Sequence, residues 1–153
     1  MSNYEQTVYV DADACPVKDE IEELCRKYKK KVVFVASYAH SLQRQEDSII
    51  VMVDSRMEEV DLYIVNHCKR GDIVVTQDHG LASLLLPKGI IVISPRGKQF
   101  LNETIEELLL ARYLGKMQRK AGLKTKGPNK FTNEDIIKFI KQFENILSNK
   151  EGF

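Results

Sequence analysis

Apolar residues recur along this chain in two rhythms. Thr7 to Val10, Val32 to Ala36, Ile49 to Val53, Ile73 to Thr76 and Ile90 to Ile93 are short runs rich in β-branched side chains, and they read as strands. Between them apolar residues return every three or four positions, the helical rhythm. Ile21, Leu24, Cys25 and Tyr28 stripe a helix from about Pro16 to Tyr28. Ser55 and Glu58 are spaced as a capping box for a helix to about Cys68, with Met57, Val60, Ile64 and His67 or Cys68 on one side. Leu81 to Leu86 is a short helix closed by Pro87 and Gly89. Thr104 and Glu107 form a second capping box, opening a helix through Leu114. Thr132 caps a last helix whose apolar side is Ile136, Ile137, Phe139, Ile140, Phe143 and Leu147. Tyr38 to Asp47 is polar and aperiodic, hence a loop.

Strands that alternate with helices and are apolar throughout point to an α/β fold. The expectation is an open parallel sheet of about five strands, with helices on both faces and extra helices at the C-terminus. The whole chain, 1–153, reads as a single domain on which the basic segment and helix of 112–150 pack. A composition 43% hydrophobic and 29% charged fits a globular protein rather than a disordered one. No apolar run is long enough to span a bilayer, and the N-terminus lacks the regions of a signal peptide. Three unevenly spaced cysteines make neither a disulfide framework nor a zinc pattern. The expectation is a cytoplasmic, reduced protein with no membrane partner.

Charge changes the picture more than composition does. Arg112, Lys116, Arg119, Lys120, Lys124, Lys126 and Lys130 fall in one stretch without an acid. That stretch carries +7, so a net charge of +1 leaves −6 on the rest. A concentrated basic segment is a candidate for polyanion binding, or else a solvated helix face and loop.

The acids gather where strands end. Asp11 closes the first strand, with Asp13 two residues on; Asp78 follows the fourth, after Thr76 and Gln77. Glu58 and Asp61 lie three apart near the start of a helix and share a face. Asp13 reads equally as a ligand or as a cap on the following helix. Open parallel sheets bind ligands at the carboxyl ends of their strands, which would also bring Ser37, Asp54 and Arg96 to this edge. Carboxylates meeting at one point require a cation. Hard oxygen ligands suit Mg²⁺ or Mn²⁺, which would activate water and stabilise the leaving oxygen of a phosphodiester. The implied reaction is metal-dependent phosphodiester hydrolysis, with RNA as the expected substrate and partner by analogy alone. Its candidate catalytic residues are Asp11, Asp61 and Asp78, and Asp13 and Glu58 join them as candidate metal ligands. Lys18, Ser37, Thr76, Arg96, Lys98, Lys120, Lys124 and Lys126 are the candidate substrate contacts.

Asp11-Ala12-Asp13 after a strand also looks like the nucleophile motif of haloacid dehalogenase-type phosphatases, where the first aspartate attacks and the second serves as acid and base. The lysine that family needs has no suitable match, since Lys69 and Arg70 sit at the wrong end of their helix. A third reading is a non-catalytic nucleic-acid-binding module, with the acids acting as caps. Cys15, at a helix N-terminus, reads as packing beneath the site rather than as a nucleophile.

The stretch from Val10 to Lys18, V-D-A-D-A-C-P-V-K, resembles the signature of the YaiI/YqxD family of bacterial proteins. Gly71 to Asp78 with Gly80-Leu81-Ala82 resembles its second block, and Ser94-Pro95-Arg96-Gly97 and Gly127-Pro128 its later ones. Ser94 stands where an asparagine is more usual, and Lys126 where a glycine is. That family is similar to PIN-like nuclease domains, so the resemblance implies a parallel sheet with a carboxylate cluster binding Mg²⁺ or Mn²⁺. Asp11 then resembles the first-strand aspartate, Asp61 the acid opening the helix before the fourth strand, and Asp78 the aspartate of a Thr-x-Asp motif. The central glutamate of such sites has no clear match, and Asp13 or Glu58 stands in for it.

Overall fold

The computed structural model describes residues 5–38, 42–56, 58–124 and 129–149. Among the described residues six strands form one sheet: β1 (Thr7–Asp11), β2 (Lys31–Ser37), β3 (Ile49–Val53), β4 (Ile73–Val75), β5 (Ile91–Ile93) and β6 (Gln99–Phe100). Their spatial order is β3-β2-β1-β4-β5-β6. The first five run parallel, and β6 turns back antiparallel on β5. Val10 lies opposite Phe34 on one side and Val75 on the other. The helices are α1 (Lys18–Lys27), α2 (Glu59–His67), α3 (His79–Leu85), α4 (Asn102–Lys120) and α5 (Asn133–Ser148).

Alternation along the strands supplies two cores. Val8, Val10, Phe34, Ile73 and Val75 face one side, covered by Ile21 and Cys25 of α1 and by Phe139, Phe143 and Leu147 of α5. Val33, Val35, Val74 and Val92 face the other, covered by Ile64 of α2, Leu81 and Leu85 of α3 and Ile105 of α4. The sheet therefore has helices on both faces, as its continuous apolar strands require. Apolar composition did not decide position within the sheet, however. β3 is as apolar as β2 yet lies at the edge, with Ile49 40% exposed.

Of the three expected caps, one forms and two do not. Thr132 accepts from Asp135 N, and the Asp135 carboxylate accepts from Thr132 N in return, so α5 begins with a capping box. Thr132→Ala is expected to cost about 1 kcal/mol, read as a lowered midpoint in urea. α2 instead starts at Glu59, behind Glu58 in a left-handed conformation (φ 70°) with no side-chain cap. α4 starts at Asn102, so Thr104 already lies in its first turn, where its hydroxyl donates to Leu101 O. A capping hydroxyl works only from an extended residue just outside the helix.

α4 runs on through Lys120, six residues past Leu114, and Gly122 (φ 81°) follows its end. Arg112, Lys116, Arg119 and Lys120 are thus helical. Ile137 points away from the apolar side of α5 and is 65% exposed. Among the described residues no helix is long and apolar enough to cross a membrane.

Candidate functional site

β1 and β4 are neighbours, and from this pair the chain builds outward in both directions, to β2 and β3 on one side and β5 and β6 on the other. Between two strands whose connections diverge, a crevice opens at the carboxyl ends. A cavity of about 790 Å³ lies there, lined among others by Asp11, Asp13, Ser37, Glu58, Asp61, Asp78 and Arg112.

Each acid reaches it by a separate local device. Asp11 is the last residue of β1, and its Oδ2 accepts from the Thr76 hydroxyl at 2.9 Å. That hydroxyl oxygen in turn accepts from Asp78 N at 3.0 Å, so one buried threonine ties the end of β1 to the turn after β4. Asp78 caps α3, its Oδ1 accepting from Leu81 N at 3.2 Å. Gly80 lies beneath it, where a Cβ would sit 3.2 Å from that same oxygen and press on it. Asp61 comes from the first turn of α2. Asp13 sits in a single 3₁₀ turn, Ala12–Ala14, rather than in strand or as the cap of α1, and its Oδ1 accepts from Ser37 N at 2.9 Å. Arg112 reaches down from α4 to Asp78 Oδ1 at 3.4 Å.

The electrostatics follow from crowding. Burial, then Asp78 and Asp11, then a hydrogen bond with Asp78 and the charge of Glu58, push the Asp61 carboxyl up to about 7. Burial also raises Asp11, against the hydrogen bond from Thr76, and Asp78 and Asp13 add to the rise. Cys15 is buried, and burial pushes its thiol up to about 11, which leaves it protonated packing.

The donor set consists of hard oxygens, the chemistry of Mg²⁺ or Mn²⁺. Among the described residues no group of three His, Cys, Asp or Glu side chains is arranged as a ready-made metal cage. Asp61 lies close enough to Asp78 for that carboxylate to raise it, whereas Asp11 is turned to Thr76 and Asp13 to Ser37. The fit is to an ion held by one or two carboxylates with water and substrate oxygens, as Mg²⁺ commonly is, rather than to a cage made of protein alone.

Several expected substrate contacts lie elsewhere. Thr76 is buried and positions the acids. Lys18 donates to Cys15 O at 2.7 Å and does not line the cavity. Arg96 pairs with Asp135 at 2.9 Å, donates to Asn129 O and lies over the Phe131 ring. The reason is the hairpin. Ser94 N bonds Lys98 O and β6 folds back on β5, which turns this loop toward α5. Lys98, Lys120 and Lys124 do not line the cavity, nor does Asp54, which pairs with Arg56. Lys126 lies outside the described residues. Arg56, Ser83 and Arg112 line the cavity although the sequence did not mark them for it. Only Arg112 carried a signal, as the first cation of the basic stretch.

Fold and cavity define an α/β protein with an acidic crevice at the carboxyl edge of a mostly parallel sheet. The family model described as "Uncharacterized BCR, YaiI/YqxD family" matches residues 9–149, and the chain belongs to that family. It is similar to a UPF0178 protein of Halalkalibacterium halodurans, 55% identical over 95% of this chain and 92% of that one. Similar too are UPF0178 proteins of Bacillus velezensis (46%, over 99% and 91%) and Bacillus cytotoxicus (48%, over 95% and 95%). No solved structure matches the chain.

Proposed function

We propose that this chain is a divalent-metal-dependent phosphodiesterase that cleaves RNA at the acidic cavity. The observation that carries the reading is the convergence of Asp11, Asp61 and Asp78, brought from β1, α2 and the turn after β4, on one crevice. Their mutual repulsion is what an added cation relieves. Asp61 and Asp78 are the pair to hold it, with Asp11, Asp13 and Glu58 around them. A bound Mg²⁺ or Mn²⁺ would supply charge neutralisation and a water activated near neutral pH. Thr76 keeps Asp11 and Asp78 in fixed relation, and Arg112 stands where it can pass from Asp78 to a phosphate oxygen. The sequence resemblance to PIN-like nuclease domains supports the same reading. The phosphatase alternative draws less support: among the described residues no lysine lines the cavity, and Lys69 donates its backbone N–H to Asp72, away from it.

The direct test is cleavage of labelled single-stranded RNA with Mn²⁺, Mg²⁺ or EDTA. A second test uses linkage. Asp61 has a folded value of about 7 against 3.8 ordinarily, so its contribution to stability is fully present below pH 3.8 and is lost as pH rises toward 7. Without metal, the melting temperature should fall across that window, and less so in Asp61→Asn. Since a cation competes with the proton, millimolar Mn²⁺ should raise the melting temperature more at pH 8 than at pH 5.5. An equal rise at both, or an undiminished rise in Asp61→Asn, would count against a cation at these acids.

A further inference from the structure

We infer that the outer face of α4 is a track for single-stranded nucleic acid leading into the acidic cavity, with Arg112, Lys116 and Arg119 on phosphates and Tyr113 under a base. The inference rests on the phosphodiesterase reading and adds the form of the substrate to it. A second depression, of about 450 Å³, is lined by Leu109, Arg112, Tyr113, Lys116 and Arg119. Arg112 lines both this groove and the cavity, so the two adjoin at its side chain. The three cations stand at i, i+4 and i+7, one face of a helix. At 1.5 Å per residue they span about 10 Å, room for a short run of phosphates. No acid occurs between Leu108 and Asn133, so the stretch that carries them is uniformly basic.

Tyr113, 58% exposed, offers a ring among these charges. Cations interleaved with an exposed aromatic are what a single strand uses, since its unstacked bases can lie on the ring. A duplex keeps its bases stacked on each other and leaves the tyrosine nothing to cover. A second copy of this chain is the other possible occupant, because Leu110, Leu114 and Met117 are also exposed on α4. A two-fold dimer through this face would set the same cations against each other, which disfavours it.

The test uses the full chain carrying Asp11→Asn, to prevent cleavage, and fluorescence anisotropy with a labelled RNA of about 12 nucleotides. Adding Lys116→Ala with Arg119→Ala should weaken binding at least about ten-fold. It should also flatten the salt dependence by about 1.4 in log–log slope, because two phosphates then keep their counterions. Tyr113→Ala should weaken binding by roughly ten-fold while Tyr113→Phe keeps it, and a duplex of the same sequence should be indifferent to Tyr113→Ala. All these side chains are exposed, and matching melting curves would establish that the variants fold. Variants that bind as tightly as the parent overturn the inference. So does sedimentation showing a dimer that Tyr113→Ala dissociates. The two readings fail separately. Normal cleavage with no binding defect in the α4 variants removes the track alone. No metal-dependent cleavage, but binding abolished in those variants, removes the phosphodiesterase and leaves the track.

Discussion

Asp11→Asn is expected to lower Mn²⁺-dependent RNA cleavage by about 100- to 1000-fold, or roughly 3–4 kcal/mol of barrier. Among the acids it is the cleanest to change. It ends a central strand, so its position is set by the sheet rather than by a loop. Asparagine has the same shape and keeps an oxygen for the Thr76 hydroxyl, so the bridge to Asp78 survives. The carboxylate, by contrast, is held above its ordinary range by burial and by Asp78 and Asp13. A neutral side chain removes that penalty, so the metal-free variant should melt at a higher temperature than the parent at pH 8. Loss of activity with a gain in stability is the pattern of a site that holds charge for its chemistry. Asp11→Asn cleaving at the parent rate would trace the activity to a contaminant and end the nuclease reading. Lower activity with a lower melting temperature would mean only that the fold was damaged, and Asp61→Asn should then be used in its place.

The largest expected loss of stability comes from Gly97→Ala. Gly97 has φ 88°, a left-handed conformation that costs other residues about 1–2 kcal/mol. A Cβ there would also lie 2.6 Å from the carbonyl carbon of Lys138 and 2.8 Å from Phe139 N, both backbone of α5. A helix backbone cannot step aside as a side chain can, and overpacking adds about 1–3 kcal/mol. Unfolding in urea should show a total loss of about 2–5 kcal/mol. Gly122→Ala is the matched control. Its φ is 81°, but a Cβ there meets nothing within 4 Å, so only the backbone cost of about 1–2 kcal/mol applies. Equal losses at the two positions would show that the loop after β5 does not clamp α5.

This clamp gives the Pro-Arg-Gly block a structural role. The cations after β5 were expected at the site because they follow a strand's carboxyl end. Arg96 instead crosses to Asp135 and Phe131, at the start of α5, and Gly97 lets the loop lie against that helix. Asp135 thus serves both the capping box and this ion pair. Since α5 supplies Phe139, Phe143 and Leu147 to one core, the loop helps hold that face of the sheet covered.

Apart from the two-residue β6, too short to show an alternation, strand and helix existence was legible because alternation and helical spacing are local properties of the chain. So were both ends of the site. A carboxylate closing one strand and another three residues past a second come together if those strands are adjacent, and Asp11 and Asp78 do. Asp61 was legible less directly, from its helix start at the same edge, and the resemblance strengthened it, for an acid in a helix's first turn is ordinarily just a favourable charge.

What tertiary structure alone decided depends on which elements meet. That β3 lies at the edge, that α4 continues and leans Arg112 over Asp78, and that Thr76 joins two acids instead of meeting substrate are relations between distant segments. A side chain's sequence neighbours do not state them. The same holds for charge: burial and neighbours from three elements raise Asp61, and no local pattern around it encodes that sum. The sequence by itself determined the alternating α/β order, the family and which residues could carry chemistry. The fold decided which of them share one volume, because proximity there is set by strand order and helix packing rather than by spacing along the chain.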